Sequence, residues 1–299
     1  MSTSIRFLPS LLALSLIVSC SPKPSEAPAT ALSLKKVVVA LKPDKNPDAM
    51  LEEKEKLTAF LSQALKVPVE VIIPLSSSVI QEGLSNGTVD LAYVSGTGMV
   101  QARSTGVADI LVAGEIEGRT DYPSYWIALK EAPYTSIADL KGKRVAFSSK
   151  TSTSGGLVPR ADLVKQGLLG KGEDPEAFFG KDNVWYGTGY VSAVERVLNG
   201  DAEAAAVSYY VLDLDKHLTL EQRARLKKID EQGPVPTHAI VVRSSLSATD
   251  RATLLAVLLS LNKEPNTALR DKVFTSKLVV VDPAQHVSPL VEYIELTKP

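Results

Sequence analysis

Apolar runs of strand length alternate with segments of helical periodicity along most of this chain. The first series predicts a strand at 36–41, a helix at 47–65, a strand at 67–73, a helix at 76–84 and a strand at 89–94. Strands joined by helices in this way wrap into a mainly parallel sheet, which binds ligands at the carboxyl ends of its strands. The sequence therefore predicts an α/β fold.

A second series of the same kind follows a stretch without clear period at 114–123: strands at 124–129, 145–148, 183–186 and 202–208 alternate with helices at 157–167 and 191–198. It ends where two prolines at 234 and 236 break the pattern. About 265 residues after the N-terminal segment exceed a usual single domain. We therefore expect two lobes joined by two crossovers, each lobe with a mainly parallel sheet: lobe 1 comprises 34–122 and 234–299, and lobe 2 comprises 123–233.

The first twenty residues have the pattern of a lipoprotein signal peptide. Arg6 precedes an apolar run at 8–18, which is too short to span a bilayer, and small residues lead to Cys20, the single cysteine of the chain. We expect cleavage before Cys20 and lipid attachment to it, in preference to the alternative of an ordinary secretory signal with an incidental cysteine. The proline-rich stretch at 21–33 is expected to be a disordered tether, so the folded part is exported and anchored to a membrane by lipid.

The formal net charge of −1 gives no broad electrostatic attraction for nucleic acid. The sequence also lacks a stripe of lysine and arginine residues interleaved with aromatic side chains. We therefore expect no nucleic-acid partner.

Hydroxyl-rich turns precede predicted helices at three places. The turn at 151–156 follows an apolar strand, and similar turns lie at 95–98 and 187–189. Hydroxyl donors and unpaired N–H groups at the positive end of a helix dipole suit a small oxyanion. An ordinary Ser/Thr N-cap fits each turn equally well on spacing alone. Three such turns around an interlobe cleft would make a polar anion cage.

The chain resembles the phosphate/phosphite/phosphonate-binding proteins of ABC importers over essentially its whole mature length. The resemblance rests on Ser-Gly-Thr-Gly at 95–98, Ile-Ala-Asp-Leu-Lys-Gly-Lys at 137–143, Ser-Thr-Ser-Gly at 152–155 with Leu-Val-Pro at 157–159, 200–207, and Pro-Val-Pro at 234–236. It implies a two-lobed type II periplasmic-binding fold that closes on its ligand. In that family the Ser-Thr-Ser side chains hold the phosphorus oxyanion, which gives this role to Ser152, Thr153 and Ser154.

Two departures from the family pattern bear on the ligand. Serines at 76–78 stand where many phosphonate-binding members have a tyrosine, and Ser208 followed by Tyr209 stands where many have an acidic residue. Serine can donate or accept a hydrogen bond, whereas a carboxylate accepts a ligand proton. Three short serines build no obvious wall for a large ligand tail, so phosphite or a small phosphonate such as methylphosphonate is the expected ligand.

Several other side chains are candidates by position. One of the adjacent pair Tyr125 and Trp126 must face away from the cleft, and we favour Tyr125 toward it. His238 follows the second crossover and either reaches the cleft or is structural, and His217 is expected to be solvated. The candidate ligand-binding residues are Ser152, Thr153, Ser154, Thr151, Ser77, Ser95, Gly96, Thr97, Tyr125, Thr188, Ser208, Tyr209 and His238.

The expected function is that of a substrate-binding lipoprotein that delivers its ligand to the permease and ATPase subunits of an ABC importer. We expect a monomer without metal or cofactor. A receptor for another small anion or organic ligand, such as phosphate, nitrate, a sulfonate or a cofactor precursor, is the nearest alternative. An enzyme on the same fold is disfavoured because no Ser-His-Asp order, metal-ligand spacing or paired carboxylates lie near the turns. A scaffold or adhesion lipoprotein without ligand is the third hypothesis.

Overall fold

A computed structural model of the chain describes Met1 and residues 32–42, 50–214, 217–274 and 276–299. The predicted signal peptide, Cys20 and most of the predicted tether lie outside the described residues. Ser33, at the end of that tether, donates hydrogen bonds from its N–H and its hydroxyl to the Asp250 carboxylate, at 2.8 and 2.6 Å. In the part of the chain that the structure describes, no helix has the length and apolar character needed to cross a membrane.

Two separate sheets organise the chain from residue 32 onward. The strands are β1 Val37–Ala40, β2 Val69–Ile72, β3 Leu91–Val94, β4 Ala108–Glu115, β5 Asp121–Leu129, β6 Val145–Phe147, β7 Val184–Tyr186, β8 Ala204–Ser208, β9 Leu226–Pro236, β10 Ala239–Arg243 and β11 Lys277–Val279. The first sheet has the order β11-β4-β10-β3-β1-β2 and forms lobe 1, and the second has the order β7-β6-β8-β5-β9 and forms lobe 2. The predicted two-lobed α/β architecture is confirmed.

Helices connect most of these strands. They are α1 Leu51–Leu65, α2 Ser77–Asn86, α3 Gly96–Ser104, α4 Val158–Lys165, α5 Glu176–Phe179, α6 Tyr190–Leu198, α7 Tyr210–Asp213, α8 Leu220–Ala224, α9 Ala248–Ser260, α10 Thr267–Phe274 and α11 Pro283–Thr297. A 3₁₀ turn spans Ile137–Leu140, and a single π turn, Thr153–Leu157, runs directly into α4. The last helix, α11, packs against α3 of lobe 1 and α4 of lobe 2.

Each sheet mixes parallel and antiparallel pairs. The pairs β1/β2 and β1/β3 in lobe 1, and β6/β7 and β6/β8 in lobe 2, are parallel, as successive βα units require. The strands next to the crossovers run the other way: β10 is antiparallel to β3 and β4, and β5 is antiparallel to β8 and β9. Fewer strand pairs are therefore parallel than the sequence pattern predicts. The strands next to the crossovers pair antiparallel with their neighbours in the sheet.

Apolar side chains cover both faces of each sheet. Alternating residues of β1 show why: Val37 and Val39 pack toward Leu57 and Leu61 of α1, while Ala40 faces the opposite core. In lobe 2, Trp126 packs against Phe147 and Phe179, with ring centroids 5.2 and 5.6 Å apart.

One core continues from lobe 1 into lobe 2. Leu157, Val158 and Ala161, at the start of α4, belong to the same buried cluster as Leu290 and Tyr293 of α11. Burial of apolar area stabilises by roughly 25 cal/mol per Å². The contact therefore holds the start of α4 against lobe 1.

Candidate functional site

The hydroxyl turn, residues 151–155, follows β6 and leads into α4. Its last three residues begin the π turn. Ser152 is the N-cap, and its Oγ accepts a hydrogen bond from the Gly155 N–H at 3.0 Å. Ser148 N–H in turn donates to the Gly155 carbonyl at 2.8 Å. Gly155 has no room for a side chain, because a Cβ there would lie 2.3 Å from Ser148 Oγ. Tight backbone packing thus shapes the turn and buries Thr153 and Ser154.

The two turns at 151–155 and 95–98 come from different lobes and touch each other. The Thr97 N–H donates to Thr153 Oγ1 at 3.2 Å, and Thr97 Oγ1 donates to the Thr151 carbonyl at 3.4 Å. Ser95 Oγ lies 3.2 Å from Thr97 Oγ1. A Cβ on Gly96 would approach Thr153 Cγ2 to 2.9 Å, so glycine permits this approach. Both turns therefore face the same point between the lobes.

The hydroxyls of the turn keep protons to donate. Ser152 Oγ and Thr153 Oγ1 each accept a backbone N–H, and a hydroxyl that accepts still has its own O–H. The first N–H groups of the helical turn have no intrahelical acceptor. Hydroxyl and N–H donors converging at the positive end of a helix suit an oxyanion.

Ser154 links the turn to two tyrosines. Its Oγ lies 2.7 Å from the Tyr190 hydroxyl, and its side chain also interacts with the Tyr122 hydroxyl. Burial raises the pKa of Tyr122, so its phenol stays protonated and can act as a donor. Neither tyrosine is among the residues predicted for the site. Tyr190 directly follows the Gly-Thr-Gly turn, and that position was the only signal in the sequence that could have pointed to it.

Ser208 lies at the carboxyl end of β8, on the same face as Ser124. The two serines are directly opposite in the antiparallel register, and Ser124 Oγ donates to the Ser154 carbonyl. Ser208 is fully buried, and its Oγ has no hydrogen-bond partner among the described residues. A buried hydroxyl without a partner is uncommon because desolvation is then uncompensated.

Tyr125 does not face the cleft, contrary to the prediction. It packs in the core of lobe 2, donates to Asp213 Oδ2 at 2.7 Å, and has the Lys228 ammonium 4.6 Å from its ring centroid. Trp126 lies in the core on the opposite face. Of the two tyrosines of β5, it is Tyr122 that lines the cleft; β5 begins at Asp121, three residues before the predicted strand, and so includes it.

Beside the hydroxyl turn lies the tyrosine cavity, a space of about 340 Å³ between the lobes. Tyr122 of β5 and the pair Tyr209 and Tyr210, which follows β8, form one wall. The ring centroids of Tyr122 and Tyr209 are 5.7 Å apart, and those of Tyr209 and Tyr210 are 5.8 Å apart. Leu41 and Ile73 lie on the lobe 1 side. The cavity therefore has a largely apolar lining with phenol edges.

Histidines and lysines also line this cavity. His238 does reach it, and its Nδ1 lies 3.3 Å from Lys42 Nζ, which donates to it, and 3.3 Å from the Tyr93 hydroxyl. His217, expected to be solvated, instead lines the cavity and packs against the Tyr210 ring at 5.1 Å, a contact that its charged sequence neighbours did not indicate. Lys272 is the second cationic side chain of the lining.

Two predicted residues lie at the protein surface. Ser77 is the exposed first residue of α2, whose N-cap is Ser76, and it is not among the residues that line the cavity. Thr188 is exposed, and its N–H donates to Ser192 Oγ at 3.0 Å. Their roles in ligand binding stay predictions without a contact that supports them.

Comparisons relate the chain to known proteins. A family model described as "ABC transporter, phosphonate, periplasmic substrate-binding protein" matches residues 39–285. The phosphate-import protein PhnD of Mycolicibacterium smegmatis is 27% identical over 172 residues, which cover 56% of this chain and 53% of that protein. The chain thus spans about half the length of the curated relatives it matches.

Solved structures share the fold. PhnD1 of Prochlorococcus marinus in complex with methylphosphonate has a TM-score of 0.73 at 21% identity, over 89% of this chain and 99% of that one. XAC2383 from Xanthomonas citri bound to ATP has a TM-score of 0.74 at 18% identity, over 89% of this chain and 98% of that one. At these identities, the likeness is one of fold.

Proposed function

Because the chain belongs to the family of periplasmic substrate-binding proteins of phosphonate ABC transporters, we propose that it captures a phosphorus oxyanion between its two lobes. Phosphite and a small phosphonate such as methylphosphonate are the first ligands to expect. The bound form then delivers the anion to the permease and ATPase subunits of an importer. Cys20 would carry the lipid that keeps this receptor at the membrane.

The meeting of two hydroxyl turns from opposite lobes is the observation that carries this proposal. Thr97 of lobe 1 and Thr153 of lobe 2 lie within hydrogen-bond distance, and both belong to helix-opening turns. An anion placed there receives donors from both lobes, and each charge-assisted hydrogen bond is short and strong. Several such bonds together offset the desolvation of the anion.

The same arrangement explains how binding would be coupled to closure. An anion held first by the Ser152–Ser154 hydroxyls gains the donors of the 95–98 turn only when the lobes close. Those extra contacts favour the closed state over the open one, and a permease can then distinguish loaded from empty receptor. The names of relatives support this chemistry: one imports phosphate, and another is in complex with methylphosphonate.

Ser208 adds a contact suited to either protonation state of the ligand. Its buried hydroxyl can donate to an oxyanion or accept from a ligand P–OH. A carboxylate at that position would instead repel a fully ionised phosphonate.

Isothermal titration of the purified protein with phosphite, methylphosphonate, phosphate and sulfate in parallel tests the proposal. We expect phosphite or methylphosphonate to bind most tightly and sulfate to bind most weakly. Small-angle scattering should show a more compact particle after the tightest ligand is added. Tightest binding by phosphate would remove the assignment to reduced phosphorus, and heat from none of the four would remove the proposed function.

A further inference from the structure

The tyrosine cavity is larger than a one-carbon phosphonate needs. Its volume of about 340 Å³ falls within the range of pockets that enclose drug-sized ligands, roughly 300–1,000 Å³. A phosphorus oxyanion held at the hydroxyl turn would leave most of this space unused. The cavity therefore has room for an organic group attached to phosphorus.

Two tyrosines connect the lining of the cavity to the hydroxyl turn. Tyr122 lines the cavity and interacts with the Ser154 side chain. Tyr210 also lines it and packs at 5.4 Å against Tyr190, whose hydroxyl bonds Ser154. A ligand whose oxyanion lies at Ser152–Ser154 thus directs its substituent along these rings.

The lining favours an uncharged, flat substituent. Tyrosine faces and edges pack on aromatic rings in tilted or edge-to-face arrangements, as Tyr122, Tyr209 and Tyr210 already do with one another. Leu41 and Ile73 supply apolar contact from lobe 1.

Building on the proposed function, we propose that this receptor takes phosphorus acids with an aromatic or similarly flat apolar substituent, whose organic part occupies the tyrosine cavity. The head group is a phosphonate or a phosphate monoester, since both present the same oxyanion to the hydroxyl turn. The organic part adds affinity.

Titration of the purified protein with matched pairs of ligands tests this class. Phenylphosphonate is compared with methylphosphonate, and phenyl phosphate with phosphate. Each phenyl compound is thus compared with a ligand that has the same head group and no ring. We expect the ring to tighten binding at least tenfold in the favoured pair, and that pair identifies the head group.

A cavity-filling variant locates the ring. Ile73→Trp places a large side chain in the cavity, whereas Leu75→Trp, two residues further on, changes a side chain that is 97% exposed and absent from the lining. We expect Ile73→Trp to reduce phenylphosphonate affinity at least tenfold while methylphosphonate affinity changes less than twofold. Leu75→Trp should leave both affinities unchanged.

The outcomes separate the two proposals. If methylphosphonate or phosphite binds but the phenyl compounds bind no better than their parents, this inference is overturned and the proposed function stands. The same holds if Ile73→Trp affects both ligands alike. If no phosphorus compound binds, the proposed function fails and this inference with it.

Discussion

The hydroxyl turn and the tyrosine cavity lie side by side, yet the chain builds them in opposite ways. The turn is one continuous stretch, 151–155, stabilised by its own cap and by Ser148. The cavity takes Leu41, Tyr122 and Tyr209 from segments far apart in the sequence. Recognition of a head group can thus be encoded locally, whereas recognition of an organic body needs the assembled fold.

The two regions also differ in what a substitution disturbs. A change in the turn alters backbone geometry and donors that every ligand would share. A change in the cavity alters space and apolar contact, which matter only to ligands with a substituent. The predictions below separate these effects, from the largest to the smallest.

Gly155→Ala should have the largest effect on the turn. The new Cβ would lie 2.3 Å from Ser148 Oγ and 3.0 Å from the Ala206 carbonyl oxygen, so the turn must shift. Overpacking of this kind costs roughly 1–3 kcal/mol. Chemical denaturation should show that loss, and titration should show at least a tenfold weaker affinity for methylphosphonate and phenylphosphonate alike.

The double variant Ser148→Gly with Gly155→Ala is the matched test, since it removes the clashing side chain. It should recover part of the binding that Gly155→Ala alone loses. Wild-type affinity in the single variant would mean that the geometry of the turn does not matter for the anion.

Ser152→Ala and Thr153→Ala should each weaken anion binding by roughly 1–3 kcal/mol, because each removes a donor to a charged acceptor. Ser152 is also an N-cap, so its loss should lower the free energy of unfolding by about 0.5–2 kcal/mol. Titration with methylphosphonate and denaturation measure the two effects separately.

Ser247→Ala is the control for the cap. Ser247 caps α9 by accepting from the Asp250 N–H at 3.1 Å, and it is not part of the candidate site. It should lower stability without changing affinity. Unchanged affinity in both turn variants would contradict the role of the hydroxyl turn.

Ser208→Ala should leave stability unchanged or raise it by up to about 1 kcal/mol, because it removes a buried hydroxyl that has no partner among the residues the structure describes. Its affinity for methylphosphonate should fall at least fivefold. Ser148→Ala offers the contrast, since the Ser148 hydroxyl donates to the Ala206 carbonyl at 2.6 Å and its loss should destabilise the fold. Unaltered affinity in Ser208→Ala would remove Ser208 from the site.

The smallest expected effect is the part of the pH dependence of stability that comes from His286. Burial lowers the pKa of His286, and this outweighs the raising effect of its hydrogen bond to the Thr237 carbonyl at 3.1 Å. The folded state thus favours the neutral ring, and its contribution to stability is lost as pH falls through the ordinary histidine value of about 6.5.

The melting temperature should therefore be lower at pH 5.5 than at pH 7.5, and His286→Gln should reduce that difference. Ligand affinity at pH 7.5 should stay the same in this variant, since His286 contacts the Thr237 carbonyl rather than the hydroxyl turn. An identical pH slope in the variant and the wild type would show that His286 does not contribute.

Local patterns predicted most elements of both lobes but not those that depend on distant partners. The helix at 157–167 and the strand at 183–186 were predicted close to α4 and β7. The long strand β9, Leu226–Pro236, was missed because charged residues interrupt its apolar pattern. Pairing with β5 along its length stabilises β9, and such pairing leaves little trace in the sequence of one strand.

The sequence by itself determined the two-lobed α/β architecture and the hydroxyl turn, because hydrophobic periodicity and capping residues act over a few neighbours. Only the tertiary structure decided that Tyr122 faces the cleft instead of Tyr125 and that His217 joins the cavity. It also brought Thr97 to Thr153 and buried Ser208 with no hydrogen-bond partner in the described part of the chain. These outcomes depend on where β5 begins and how the lobes meet, and long-range packing sets both.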